Sequence, residues 1–252
     1  MIFLYLPILI MIAYSFNEAE SFVWSNFSLK WYHELFRDRT ILNSFLNSII
    51  LGIVSSVLAT CLGTCAAIGI SNLAKKTRAI AINISNIPII NPEIVTGISL
   101  MLLFSFIGGI IGFEPGFATV LLAHICFSTP YVILNVLPKL RQLDPFQYEA
   151  ALDLGCPPVK AFRKVVFPEI LPALISGFLM AFTFSLDDFI ITNFTSGPSF
   201  QTLPMVIYPM LKKRLSPRIN ALTALLFLAV FLLLLIINLK DIKNAKKADH
   251  EI

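Results

Sequence analysis

Residues 219–239 read INALTALLFLAVFLLLLIINL, a run of 21 residues without one charge. An α-helix needs about 20 mostly apolar residues to cross the hydrocarbon of a bilayer. Within that hydrocarbon every backbone polar group must be satisfied by the protein itself, which leaves only helices and closed barrels. Five further apolar runs occur, Met1–Phe16, Leu42–Ile70, Ile84–Ile107, Phe117–Leu137 and Pro172–Phe194. None alternates apolar and polar residues as barrel strands do, so all six are read as helices. The expected fold is an all-α polytopic membrane protein, one transmembrane domain over 1–252 with about six transmembrane helices. Composition agrees, since 13% of the residues are charged against about 25% in soluble domains. Met1–Phe16 lacks a basic lead and a small-x-small cleavage site, and is read as an uncleaved helix rather than a signal peptide.

The net charge of +4 is small, and no basic face accompanies a soluble fold, so no nucleic-acid partner is expected. Where the charges lie is more informative. Twelve Lys and Arg fall after the second run (Lys75, Lys76, Arg78), within 138–171, and in the tail after residue 239; seven fall in the intervening segments. The excess of positive charge places the twelve in the cytoplasm, with both termini inside. The aromatic segment 17–40 is then an outside, interfacial or helical element. Cys61, Cys65 and Cys126 lie in apolar runs and Cys156 lies beyond them. All four are read as small buried hydrophobes, without metal-ligand spacing or a disulfide framework.

The loop 138–171 reads PKLRQLDPFQYEAALDLGCPPVKAFRKVVFPEIL. Asp144 is a good N-cap, and Pro145 suits a first helical position. Phe146, Ala150, Leu152 and Leu154 supply an apolar side to a short helix. Gly155 ends it in a left-handed conformation. Pro157 or Pro158 opens a second helix with Val159, Phe162 and Val166 at helical spacing, and Pro168 is expected to stop it. An apolar patch on this helix–turn–helix is available for a partner; the plainer reading is an amphipathic loop resting on lipid headgroups.

EAALDLG, nine residues and VVFP together resemble the EAA loop of ABC-importer membrane subunits. Glu149, Ala150, Ala151, Gly155 and Pro168 match that pattern, and Val165 and Phe167 replace apolar residues by apolar ones. NPEIVTGISL (91–100), SLDDFIITNFTSGPSFQTLPMVIYPM (185–210) and SPRINAL (216–222) extend the resemblance over nearly the whole chain, towards spermidine/putrescine importer permeases of the PotC type. The usual basic lead at the amino end is where the sequence departs from them. The resemblance implies a type I ABC-importer permease fold in a bacterial inner membrane. The loop between helices four and five would be its coupling helix, docked on an ATPase subunit, with Glu149 as polar anchor. It also implies the partners: a second permease subunit in a heterodimer, two copies of an ABC ATPase, and an extracytoplasmic polyamine-binding protein. ATP and Mg would be held by the ATPase, and no cofactor by this chain. Related permeases share parts of the SLDD stretch, so an importer of another small substrate is the alternative.

Inside the five better-defined runs the only charges are Glu93, Asp187 and Asp188, all acidic. Each ionised acid at the bilayer centre costs about 2.5–3.5 kcal/mol on insertion scales. The three could be protonated, pair with a partner subunit, or line a watery path for a cation. A polyamine, with ammonium groups spaced on an alkyl chain, is a cargo such acids suit, and Tyr131 could add a cation–π contact. Residues 187 and 188 stand about 100° apart on a helix, so one faces the path and the other a neighbouring helix. Pro88 and Pro92 break the helix beside Glu93. His124 is read as a satisfied interior hydrogen bonder. Asn43 and Asn47 are read as bonding between helices, and Gly52, Gly63 and Gly69 as allowing close packing.

No G-x-x-x-x-G-K-[ST] phosphate loop occurs, so energy must come from a partner or an ion gradient. A proton-driven secondary transporter, relaying through Glu93, Asp187, Asp188 and His124, is the second hypothesis; six spans and a loop shaped for docking oppose it. The chain has no HExxH or GxSxG, which leaves an intramembrane enzyme without support.

Overall fold

The computed structural model describes residues 2–19, 23–213, 218–225 and 227–228. The elements are helices α1 (Ile2–Tyr14), α2 (Lys30–Arg37), α3 (Arg39–Ser71), α4 (Lys75–Ile90), α5 (Glu93–Ile111) and α6 (Phe117–Gln142). Then come α7 (Pro145–Asp153), α8 (Pro158–Ala161), a π-helical turn (Phe162–Val166), α9 (Phe167–Asp187), α10 (Ile190–Thr195) and α11 (Leu203–Lys213). Among the described residues there is no strand, only an isolated bridge between Asn17 and Phe27. Among the described residues four helical stretches are long and apolar enough to cross a membrane: Arg39–Ser71, Glu93–Ile111, Phe117–Gln142 and Pro158–Asp187. The chain is a multi-pass membrane protein. Most of the expected sixth run, 219–239, lies outside the described residues.

Two compact units divide the chain, Met1–Asn43 with Val206–Ile252, and Ser44–Met205. In the first, the segment expected to be interfacial carries the amphipathic α2, which buries Trp31 and Leu35. The Trp31 indole donates to the Asn17 carbonyl at 2.7 Å. The Asn17 side chain donates to Val23 O at 3.0 Å and accepts from Ser25 N at 2.9 Å, which folds the loop back on itself. Arg218 lies 3.4 Å from Glu34 and 3.9 Å from Asp38.

In the second unit the inward face of α3 is a stripe of mostly small residues at three- and four-residue spacing: Ser44, Ser48, Leu51, Ser55, Ala59, Gly63, Ala67 and Ile70. Lipid offers apolar groups as good a solvent as protein does, so close backbone approach and hydrogen bonding, not greasiness, decide which face turns in. A Cβ on Gly63 would stand 2.7 Å from Val132 Cβ, and this is where α3 meets α6. Gly52 packs in the same way on Phe182, whereas Gly69 faces open space and has no packing role in the chain. The same rule corrects the cysteine reading. Cys61, Cys65 and Cys126 are free thiols on the outward faces of α3 and α6, and Cys156 is half-buried. Asn47 donates to the Gln201 carbonyl at 3.0 Å, a loop rather than a helix.

α6 is the central helix, with half of its apolar stretch buried against 11% in α5. Val132, Ile133, Val136 and Leu137 meet Ala67 and Ile70 of α3 and Ala181 of α9 in one cluster. Phe104, Ala123 and Ile191 form a second, joining α5, α6 and α10. The run Ile84–Ile107 is broken at Pro92 as expected but not at Pro88, which lies inside α4. Pro92 has no N–H to donate, and its φ of −56° and ψ of 135° make it the extended cap from which α5 starts. Arg78 closes the α3–α4 corner by donating to Ser71 O and Leu73 O, both at 2.8 Å.

Candidate functional site

The 144–168 segment forms the turn its residues specify. The Asp144 carboxylate accepts from Phe146 N at 3.0 Å and caps α7. At the other end Gly155 has φ +80°. Its N–H bonds Leu152 O at 2.9 Å, and Cys156 N bonds Ala151 O at 3.1 Å. That pair of bonds is a Schellman motif, whose left-handed residue is ordinarily glycine. Three large apolar side chains are left in the open around the turn, Phe146 at 72% exposure, Leu154 at 88% and Val159 at 80%. Glu149 and Ala150 are exposed beside them, and Ala151 is half-buried. Behind the turn a cleft of about 310 Å³ lies among Ile68, Leu140, Tyr148, Phe162 and Val165. Pro168 does not stop the second helix. The chain is helical from Pro158 to Asp187, and Pro168 sits in the first turn of α9. The π turn before it makes this possible, because Phe167 N reaches back five residues to Phe162 O. That wider turn accommodates a residue that cannot donate.

The second constellation is a break in a membrane helix. α9 ends at Asp187; Asp188 takes ψ 122° and α10 begins two residues later. Asp188 turns inward, its side chain 5% exposed. It accepts from Ile191 N at 3.2 Å, Thr192 N at 2.7 Å and Thr192 Oγ1 at 2.7 Å, and so caps α10. His124 of α6 is fully buried and reaches both sides of the break. Its Nδ1 lies 2.7 Å from Ser185 Oγ, and its Nε2 lies 2.9 Å from Thr192 Oγ1 and 3.5 Å from Asp188 Oδ2. Ser55 of α3 completes the set, 3.0 Å from Ser185 Oγ. Four helices therefore meet in one buried polar cluster. With the Thr192 hydroxyl donating to Asp188, its oxygen accepts from His124 Nε2–H. His124 Nδ1 then accepts from Ser185, whose oxygen lies beside a Ser55 hydroxyl that also reaches the Gly52 carbonyl at 3.2 Å.

Asp187, next in sequence, is exposed. The separation of the two acids comes from the broken backbone rather than from 100° of helix. Glu93 is exposed in the first turn of α5, where a negative charge suits the helix N-terminus. One turn on, a Cβ at Gly97 would stand 3.5 Å from Ile191 Cα, so α5 lies directly on α10. The half-buried Tyr131 packs its ring on Phe184, with centroids 4.5 Å apart, one turn before Asp187. The structure thus gathers Asp188, His124, Ser185, Thr192 and Ser55, and leaves Asp187 and Glu93 outward. Ser55, Ser185 and Thr192 went unread in the sequence. An Asp followed by three apolar residues and Thr192 is a short helix's capping pattern, and was the available signal.

Residues 59–240 match the family of the binding-protein-dependent transport system inner membrane component. The chain is 37% identical over 233 residues to the putrescine transport system permease protein PotI of Escherichia coli (strain K12), covering 90% of this chain and 83% of that one. It is 34% identical to the spermidine/putrescine transport system permease protein PotC of Haemophilus influenzae, covering 96% of this chain and 93% of that one. The fold aligns with a chain of a bacterial ABC transporter involved in the import of the acidic polysaccharide alginate, with a TM-score of 0.74 at 15% identity, over 94% of this chain and 88% of that one. With a family match over most of its length and relatives above 30% identity along nearly all of it, the chain belongs to the binding-protein-dependent transport system inner membrane components.

Proposed function

We propose that this chain is the membrane-spanning permease subunit of an ATP-driven importer that carries polyamines across the cytoplasmic membrane. It works as half of a heterodimer with a second permease, on two copies of an ABC ATPase, and receives cargo from an extracytoplasmic binding protein. The chain itself hydrolyses nothing; ATP and Mg belong to the ATPase. Both termini and the 144–168 turn lie on the cytoplasmic side. The Gly155 turn, with Phe146, Leu154 and Val159 in the open, is the surface that fits an ATPase groove, and Glu149 anchors it.

The observation that carries the cargo class is the exposed Asp187 at the helix break, with Glu93 as the second acid. No Lys or Arg accompanies them in the better-defined apolar runs. Acids at membrane depth need a cation or water, and a polyammonium chain meets that need. The likeness to PotI and PotC supports the same class. Tyr131 offers a ring face one turn from the break.

The test is reconstitution of the chain with its partner subunits in proteoliposomes, with binding protein and labelled putrescine or spermidine outside. Uptake that requires internal ATP and persists in a protonophore is expected. Uptake abolished by the protonophore with ATP present would overturn the ATP-driven reading. ATP-dependent uptake of a different solute, with no polyamine transport, would overturn the cargo.

A further inference from the structure

We propose that His124 is a positioning residue: its two ring nitrogens clamp α9 to α10 across the break, and so fix the direction in which Asp187 points. This rests on Asp187 as the cargo-facing acid. The argument begins with reach. Ser185 and Thr192 are seven residues apart, and in an unbroken helix that is about 10.5 Å along the axis. One imidazole with a hydrogen bond at each nitrogen spans less. The observed contacts of 2.7 and 2.9 Å therefore exist only while the helix is broken, and His124 favours that state over a straight helix. The donor order reinforces this. With Thr192 donating to Asp188, Nε2–H gives to Thr192 and Ser185 gives to Nδ1, while Asp188 in turn holds the α10 amides. Each member of the cluster is buried, where loss of one link leaves its neighbours unsatisfied. With Asp188 committed to this chain of bonds, Asp187 is directed outward by what lies behind it.

The experiment uses the assembled importer with all four native cysteines replaced by alanine and Asp187→Cys as reporter. The rate at which a charged methanethiosulfonate modifies that cysteine reads its orientation without any reference to cargo. His124→Phe keeps the ring and removes both bonds; Thr192→Val keeps shape and removes the bridging hydroxyl; His124→Gln keeps a donor in reach of Thr192. H124F and T192V are expected to change the rate about fivefold or more, and H124Q to stay within about twofold of the parent. In the native-cysteine importer, D187N should lower uptake several-fold, but add little in the H124F background. A rate unchanged by both H124F and T192V overturns the clamp. So does a D187N cost that is measurable in the parent and as large in the H124F background. If H124F fails to assemble, T192V decides. A shifted rate with no D187N cost in the parent keeps the clamp and removes Asp187 from the cargo path.

Discussion

Asp187 and Asp188 carry the same group one residue apart and differ in everything around it. Asp188 accepts three hydrogen bonds from Ile191 and Thr192, whereas Asp187 stands in the open. Their amides should therefore fail differently. D187N is expected to leave assembly intact and cut uptake per complex roughly 5–150-fold, the loss of one charge-assisted contact of about 1–3 kcal/mol. D188N halves the acceptors available to α10 and turns an acceptor into a donor. It should lower the thermal stability or yield of the complex, with uptake falling in step with the complex recovered. Equal behaviour of the two, measured by uptake against quantified complex and by a melting curve, would count against the division. The sequence shows that two acids sit at membrane depth, and that His124 needs partners. It does not show which partners, because Ser55 and Ser185 are 130 residues apart and only tertiary packing brings them together.

At the scale of the element, the 144–168 turn was readable because its determinants are local. An Asp before Pro145, a glycine ten residues on and two prolines after it each fix a backbone conformation within one turn. Gly155→Val forces a β-branched residue to φ +80°, at a cost of about 1–2 kcal/mol or more. Nothing lies within 4 Å of a Cβ there, so the damage is to the turn's conformation and not to packing. The variant should insert and assemble with its sister permease, yet lose most binding-protein-stimulated ATP hydrolysis in proteoliposomes. Glu149→Lys, which reverses an exposed charge, should reduce the stimulation about tenfold. Full stimulation and transport in both would show that the turn is not where the ATPase docks. Where hydropathy alone set the boundaries, the elements came out differently. Residues 84–107 carry no charge but Glu93, so hydropathy runs across the α4–α5 break, and only Pro92 marks it. Pro168 reads as a stop because a π turn, which rescues it, has no sequence signature of its own.

For the molecule as a whole, the outward surface is the greasy one. Ile94, Leu102, Leu103, Phe106, Ile110 and Ile111 of α5 are all exposed on the isolated chain, and lipid or the proposed second permease must cover them. The free thiols are reporters already in place. In intact membranes a membrane-impermeant maleimide should leave Cys61, Cys65 and Cys126 unlabelled until detergent denaturation exposes them. Cys156, beside Gly155, should react from the cytoplasmic side and be protected when the ATPase binds. Labelling of Cys61 or Cys65 in intact vesicles would place that face of α3 in water. The division of the chain bears, finally, on the order of its making. Ser44–Met205 is contiguous in sequence, and every member of the polar cluster, from Ser55 to Thr192, lies within it. During synthesis, which runs from the amino end, that cluster is complete once Thr192 has emerged. Glu34 and Asp38, by contrast, must wait for Arg218. Every residue that holds the helix break is therefore synthesised before Arg218, the partner that Glu34 and Asp38 await.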